Sequence, residues 1–215
     1  MEMALCVFAE KGFDASSIRE IADLAKANSA LIQYHFGGKE GLYRESLRHA
    51  FHCSPHKILT FTPPPNPSEP DAREKGIQGI RTFIAVTLED FLTCHGKGLH
   101  MATEVEQAAM TVWSREMQEP RPSMESFIME TIQPYLNYLN GCISAIRPDL
   151  DDEHRFRMSF SIQSQILFLH RDMEMIRLIR GQAYTAPDLQ SLVDHVTDFS
   201  LRGLGVSEAF PAQGA

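Results

Sequence analysis

The stretch Ser16–Tyr43, SSIREIADLAKANSALIQYHFGGKEGLY, restricts the fold more than any other part of the chain. Two short helical runs are joined by a tight break, and a third helix begins straight after a glycine stop. Ser16 or Ser17 is placed to cap the first run, with Glu20 three or four residues on, as a capping box requires. Ile18, Ile21, Ala22 and Ala25 share one face at helical spacing. Lys26-Ala27-Asn28 interrupts that pattern, and Ala30, Leu31, Tyr34 and His35 resume it over two turns. Phe36-Gly37-Gly38 ends it, because glycine enters left-handed backbone angles without steric cost. A helix of seven or eight residues does not hold itself together in water. Its neighbours must brace it, and its small side chains Asn28, Ser29, Ala30 and Gln33 point to a reading surface.

The rest of the chain also carries helical periods, with no strand alternation and no internal repeat, so the predicted class is all-α. Ala4, Leu5, Val7 and Phe8 mark a first helix. Tyr43, Leu47, Ala50 and Phe51 mark the inward face of a helix from Glu40 to about Leu59. Residues 62–70, TPPPNPSEP, cannot be helical, since proline lacks the amide donor and restricts its predecessor. They predict a stiff surface spacer, which sets the boundaries: 1–60 a first domain, 61–74 a connection, 75–206 a second helical domain. Further helices are predicted over Lys75–Thr93, Leu99–Met117, a segment capped by Ser123 and kinked at Pro134, Asp149–Arg180, and a last one from Pro187. The Asp149–Arg180 segment is apolar on much of its circumference (Phe156, Phe160, Ile162, Ile166, Leu167, Leu169), which predicts burial on more than one side.

Charge excludes little once it is partitioned. The net charge is −8, but residues 1–50 hold six Lys/Arg against seven Asp/Glu, and the acidity belongs mostly to the remainder. The first part is near neutral, without the basic excess that a phosphate-binding surface calls for. The four cysteines, Cys6, Cys53, Cys94 and Cys142, are far apart and form no CxxC pair, so buried thiols are expected in place of disulfides or zinc. His52-Cys53-x-x-His56, Cys94-His95 and His100 lack a metal-ligand interval. No metal and no cofactor is expected. No membrane span and no leader are visible, which predicts a cytoplasmic protein. No nucleophile–base arrangement or phosphate loop stands out, so no catalytic residue is proposed.

Several of these residues together resemble the helix-turn-helix of the TetR family of transcriptional regulators. They are Phe8-Ala9-Glu10-Lys11-Gly12-Phe13, Ile21-Ala22, Ala25, Tyr34-His35-Phe36 and Lys39-Glu40, with Leu42 close behind. The run from Asn28 to Tyr43 is most similar to the CecR-like subgroup, and the C-terminal part matches that subgroup more loosely. The resemblance implies an N-terminal three-helix DNA-binding domain followed by a helical domain for ligand binding and dimerisation. It also implies a repressor that binds a palindromic site on double-stranded DNA as a homodimer and is released by a small-molecule effector. Members of the family begin the first helix earlier, with basic residues; either the chain continues upstream of Met1 or some backbone affinity is absent.

The same resemblance suggests site residues. Asn28, Ser29, Ala30, Gln33 and Tyr34 are candidates for the major groove, where Gln pairs with adenine and Ala touches a thymine methyl. Tyr34 and Lys39 would anchor phosphates, with Ser17 and Arg19 at the entry of the preceding helix and His35 beside them. Tyr34 packing inward stays open. Lys26 stands where the family has glycine; a left-handed backbone there costs about 1–2 kcal/mol, and its side chain either reaches a phosphate or stays solvated. For dimerisation the expected surfaces are Phe160 and Leu167 with the stripe Leu189, Leu192, Val193, Val196, Ser200 and Leu204. Phe83, Phe91, Met101, Met110, Trp113 and Phe127, with Gln163 and His170 as orienting groups, either line an effector pocket or simply pack. Two other classes stay open: a helical ligand-binding dimer without DNA binding, and a helical enzyme.

Overall fold

The structure, a computed structural model, describes residues 1–53, 63–95, 103–185 and 187–206. Side chains are described at all of these except 50–53, 90–95, 170, 171 and 173. The described residues form ten α-helices and no strand. In order they are α1 (Glu2–Ala15), α2 (Ile18–Leu24), α3 (Ser29–Phe36), α4 (Lys39–Cys53), α5 (Ala72–His95), α6 (Glu104–Gln118), α7 (Glu125–Ile146), α8 (Asp152–Arg171), α9 (Met173–Arg180) and α10 (Asp188–Gly203). A 3-10 turn, Pro122–Met124, precedes α7. Two compact units result, one drawn from Met1–Lys57 with His100–Thr131, the other from Ile58–Leu99 with Ile132–Ala215. The proline run suggests a single cut near residue 60, but packing takes residues 100–131 into the first unit.

In that first unit, α1 packs on both α4 and α6. Ala4, Leu5, Val7 and Phe8 are buried there, as are Leu42, Tyr43 and Leu47 of α4 and Ala108 and Val112 of α6. Thr103 caps α6 in a capping box with Glu106, so the helix begins at Glu104; Leu99, the expected start, lies outside the described residues. Gly12, at φ 79° and ψ 170°, breaks α1 before its last turn. Gly41 lets α3 and α4 meet closely: a Cβ there would lie 1.7 Å from the Phe36 carbonyl oxygen.

In the second unit α5 packs along α10, joined at the surface by an Arg81–Asp194 ion pair. Gly76 and Gly79 bring α5 against α7: a Cβ at Gly76 would stand 2.7 Å from the Cys142 carbonyl oxygen. Pro64 lies on the same helix, against Gly141. Asp151 caps α8, accepting from the His154 amide at 2.8 Å.

Three expectations are corrected here. The segment expected as one helix to Arg180 breaks at Asp172, so α8 and α9 are separate. Burial of α8 is one-sided: Ile162 and Ile166 are buried, whereas Phe156, Phe160 and Leu167 are about half exposed. Finally, Leu192, Val193, Val196, Ser200 and Leu204 do not form a partner surface. They are buried inside the unit because α10 turns this stripe toward α5 and α8, and Leu189 is half-buried.

Candidate nucleic-acid interface

The α2–α3 pair is held by local chemistry legible in its sequence. Ser17 is the N-cap, its Oγ accepting from the Glu20 amide at 3.2 Å, while the buried Ser16 donates its hydroxyl to the Phe13 carbonyl at 2.7 Å. At the other end of α2, the Ala27 amide donates to the Ala22 carbonyl at 2.9 Å and the Lys26 amide to the Asp23 carbonyl at 3.3 Å. This paired closure needs a left-handed residue between helix and turn. Lys26 supplies it, at φ 52°, the one non-glycine residue with positive φ among those described. Asn28 then caps α3, its Oδ1 accepting from the Ala30 amide at 2.8 Å, and Gly37 ends it in the left-handed region at φ 70°.

These closures orient α3 differently from the apolar period suggested by its sequence. Ile32 is the buried residue of α3, and Ala30, Leu31, Tyr34 and His35 all lie outside. Tyr34 is 82 % exposed and meets the His35 ring edge-on at 5.2 Å, so it does not pack inward. Ser17, Arg19, Lys26, Asn28, Ser29, Ala30 and Gln33 are exposed as well. Leu31, 54 % exposed among them, was not singled out from sequence because its apolarity reads as core. Asn28 and Ser17 reach this surface with an oxygen already engaged in capping.

Lys39 departs from its expected place. Its ammonium donates to the carbonyl oxygens of Phe13 (2.7 Å), Ser16 (2.9 Å) and Asp14 (3.2 Å), and sits 4.5 Å from the centre of the Phe13 ring. An ammonium has three donors, so its hydrogen bonds are committed within the chain, closing the α1–α2 corner. The structure thus uses Lys39 as an internal clamp where a phosphate anchor was expected.

Behind this corner lies a second charged arrangement, a local Glu116–Arg121 pair joined to distant Tyr43 and Phe13. Glu116 of α6 is 2 % exposed, and its carboxylate accepts from the Tyr43 hydroxyl at 3.0 Å and from the Arg121 amide at 2.9 Å. The Arg121 guanidinium bonds the same carboxylate, through Nε at 3.1 Å and through Nη2. It also stacks over the rings of Phe13 (4.1 Å) and Tyr43 (4.2 Å). Burial and the Glu116 charge push the Tyr43 phenol well above its usual pKa. A cleft of ≈ 370 Å³ opens here, lined by Phe8, Phe13, Tyr43, Arg115, Glu116 and Arg121 among others.

The expected effector-pocket residues are not gathered in this cleft. Met110, Trp113 and Phe127 belong to the first unit, Trp113 meeting Phe127 edge-on at 6.4 Å, while Phe83 and Gln163 belong to the second. Phe83 is buried, and Gln163 bonds Ser159 of its own helix. Met101 and the side chains of Phe91 and His170 lie outside the described residues, as do those of His52, Cys53, Cys94 and His95, with His56 and His100. Among described residues no group of three His, Cys, Asp or Glu could hold a metal, and no helix is long and apolar enough to cross a membrane.

The family model for the C-terminal domain of the HTH-type transcriptional dual regulator CecR matches residues 88–204, more than half of the chain. The model for bacterial regulatory proteins of the tetR family matches residues 1–45. This chain belongs to the CecR-type regulators of the tetR family. Curated relatives of this tetR-family chain match it over short stretches. The HTH-type transcriptional repressor NicS of Pseudomonas putida is 39% identical over 51 residues, 24% of each chain. The probable HTH-type transcriptional regulator YttP of Bacillus subtilis is 50% identical over 42 residues, 20% of each chain. The matched stretch thus spans a quarter or less of the length of these two relatives. The crystal structure of a HlyIIR mutant carrying a GSSGSSG linker is similar over 91% of this chain and 92% of that one, with a TM-score of 0.51 and 20% identity. That likeness concerns the fold.

Proposed function

We propose that this tetR-family protein is a DNA-binding transcriptional regulator of the repressor type, a homodimer on a palindromic operator in the cytoplasm, and not an enzyme. The observation that carries the reading is the outward face of α3. Ser29, Ala30, Leu31, Gln33 and Tyr34 are exposed on a helix capped at both ends and backed by Ile32. Such a face offers an adenine partner, apolar contacts for thymine methyls and a phenol for phosphate. Arg19 and Lys26, exposed nearby, offer cations to the backbone. The names of NicS and YttP agree with this role. In a dimer two α3 helices would enter successive major grooves about 34–36 Å apart.

Half-exposed Phe156, Phe160 and Leu167 on α8 and exposed Phe199 on α10 support a self-association surface that replaces the buried stripe. A small-molecule effector acting through the part that matches the CecR C-terminal domain would weaken DNA binding, and DNA would weaken effector binding equally. The test is titration of the full-length protein onto duplexes from its own promoter region at several salt concentrations. Tight binding that falls steeply with salt supports the reading.

The near-neutral charge of residues 1–50 and the internal commitment of the Lys39 ammonium favour a second reading, a ligand-binding dimer that no longer grips DNA. Absence of any complex at low salt would overturn the DNA-binding reading in its favour.

A further inference from the structure

We propose that Arg121 is a positioning residue for the reading head, holding the α1–α2 corner through the ring of Phe13. The proposal rests on the DNA-binding reading above for its affinity consequence, but not for its structural one.

The break at Gly12, φ 79°, removes Phe13 from the continuous part of α1. Phe13 therefore needs a brace other than regular helix hydrogen bonding, and close packing does not supply all of it. The residue is only half-buried and borders the open cleft. Phe8 stacks on the ring at 6.1 Å, and charge supplies the rest. Arg121 stacks on it at 4.1 Å and Lys39 sits at 4.5 Å, each drawn to the electron-rich ring. Tyr43 meets it edge-on at 5.2 Å.

The Phe13 backbone passes this position on in two directions. Its carbonyl accepts from Ser16 Oγ at 2.7 Å, one residue before the Ser17 cap of α2, and from Lys39 at 2.7 Å, the first residue of α4. The helices on either side of α3 thus begin from the same carbonyl. Arg121 is itself placed by the buried Glu116 carboxylate, which takes its backbone amide as well as its guanidinium. A planar guanidinium can bond a carboxylate and stack on two rings together; an ammonium cannot.

The test compares Arg121→Ala and Arg121→Lys in the full chain by hydrogen exchange and by DNA titration. Both variants are expected to raise amide exchange at residues 14–20 at least tenfold while leaving α5 and α10 unchanged, and to lower affinity for promoter DNA at least tenfold. Methylguanidinium at tens of millimolar should partly reverse both effects in Arg121→Ala and have no effect on the wild type. Wild-type exchange at 14–20 in a folded Arg121→Ala overturns the proposal. Should that variant not fold, Phe13→Leu, which keeps an apolar side chain but removes the ring, must show the same local exchange; normal exchange in it also overturns the proposal. If the wild type binds no DNA, the regulator reading fails while the exchange measurement still decides the role of Arg121.

Discussion

Gly79 of α5 lies directly against Cys142 of α7: a Cβ at Gly79 would stand 2.4 Å from the Cys142 sulfur. The atom it would meet belongs to a fully buried side chain, so nothing nearby yields without moving a helix. Gly79→Ala should therefore destabilise the protein. Overpacking costs about 1–3 kcal/mol, partly offset by the roughly 1 kcal/mol advantage of alanine within a helix. Adding Cys142→Ala makes room for the methyl, so denaturant unfolding of the double variant should show Gly79→Ala to be neutral or stabilising there. Equal destabilisation in both backgrounds would refute the contact.

Lys26 invites the opposite substitution. Glycine at its left-handed φ should stabilise the first unit by about 1 kcal/mol, the strain of a side chain in that region. The same change removes an exposed cation beside α3. If Lys26 reaches a phosphate, Lys26→Gly will melt higher yet bind DNA less tightly, with a salt dependence shallower by about one ion. Unaltered DNA binding would mark Lys26 as a solvated turn residue only.

On α3 the exposed side chains should divide by task. Gln33→Ala is expected to relax sequence preference at one base position by about 1–3 kcal/mol, whereas Tyr34→Phe should weaken all sequences alike. Leu31→Ala should reduce discrimination for a thymine-bearing step. Binding-site selection with each variant separates these outcomes, and an unchanged selected sequence for Gln33→Ala would count against a groove-facing role.

Self-association offers a test of the proposed surface. Phe160→Glu and Phe199→Glu place a charge on exposed positions and should shift the sedimentation profile toward monomer without lowering the melting temperature of a monomer reference. Val196→Glu, by contrast, buries a charge within the unit and should unfold it. Dimers persisting in both phenylalanine variants would move the interface elsewhere.

Alkaline pH should destabilise the fold through its buried acids. Burial raises the Cys142 thiol from 9.0 to about 12, and burial with the neighbouring thiol raises the Tyr138 phenol from 10.0 to about 12. Burial and Glu116 push the Tyr43 phenol higher still. Each group keeps its proton in the folded state at a pH where the unfolded chain has released it. The stabilisation is thus complete below pH 9 and declines as pH rises through 12, by at most about 1.4 kcal/mol per pH unit per group. Melting temperature against pH should bend downward above 9, and Cys142→Ser should make the bend shallower between 9 and 10, where the Cys6 thiol, also raised by burial, still contributes. A flat profile from pH 9 to 11 would contradict this burial.

Much of this protein was decided by residues acting on their immediate neighbours. Helical class, the Ser17 cap, the left-handed Lys26 and the Gly37 stop are legible in order along the chain, because caps, turns and helical periods involve partners within a few residues. The family resemblance rested on that same local run. Which face of a helix meets the core was settled only by packing. The Leu192–Leu204 stripe looks equally apt for a partner or for the interior, and its burial depended on where α5 came to lie. Leu31 and Ile32 are adjacent and similarly apolar, yet the α2–α3 turn and α4 bury one and expose the other. Lys39 and the Tyr43–Glu116–Arg121 group stand furthest from sequence reading. The Lys39 bonds reach back 23 to 26 positions and the Tyr43–Glu116 bond spans 73, and only the folded chain brings such groups together. Periodicity records that a side chain is apolar, whereas burial depends on what arrives opposite it.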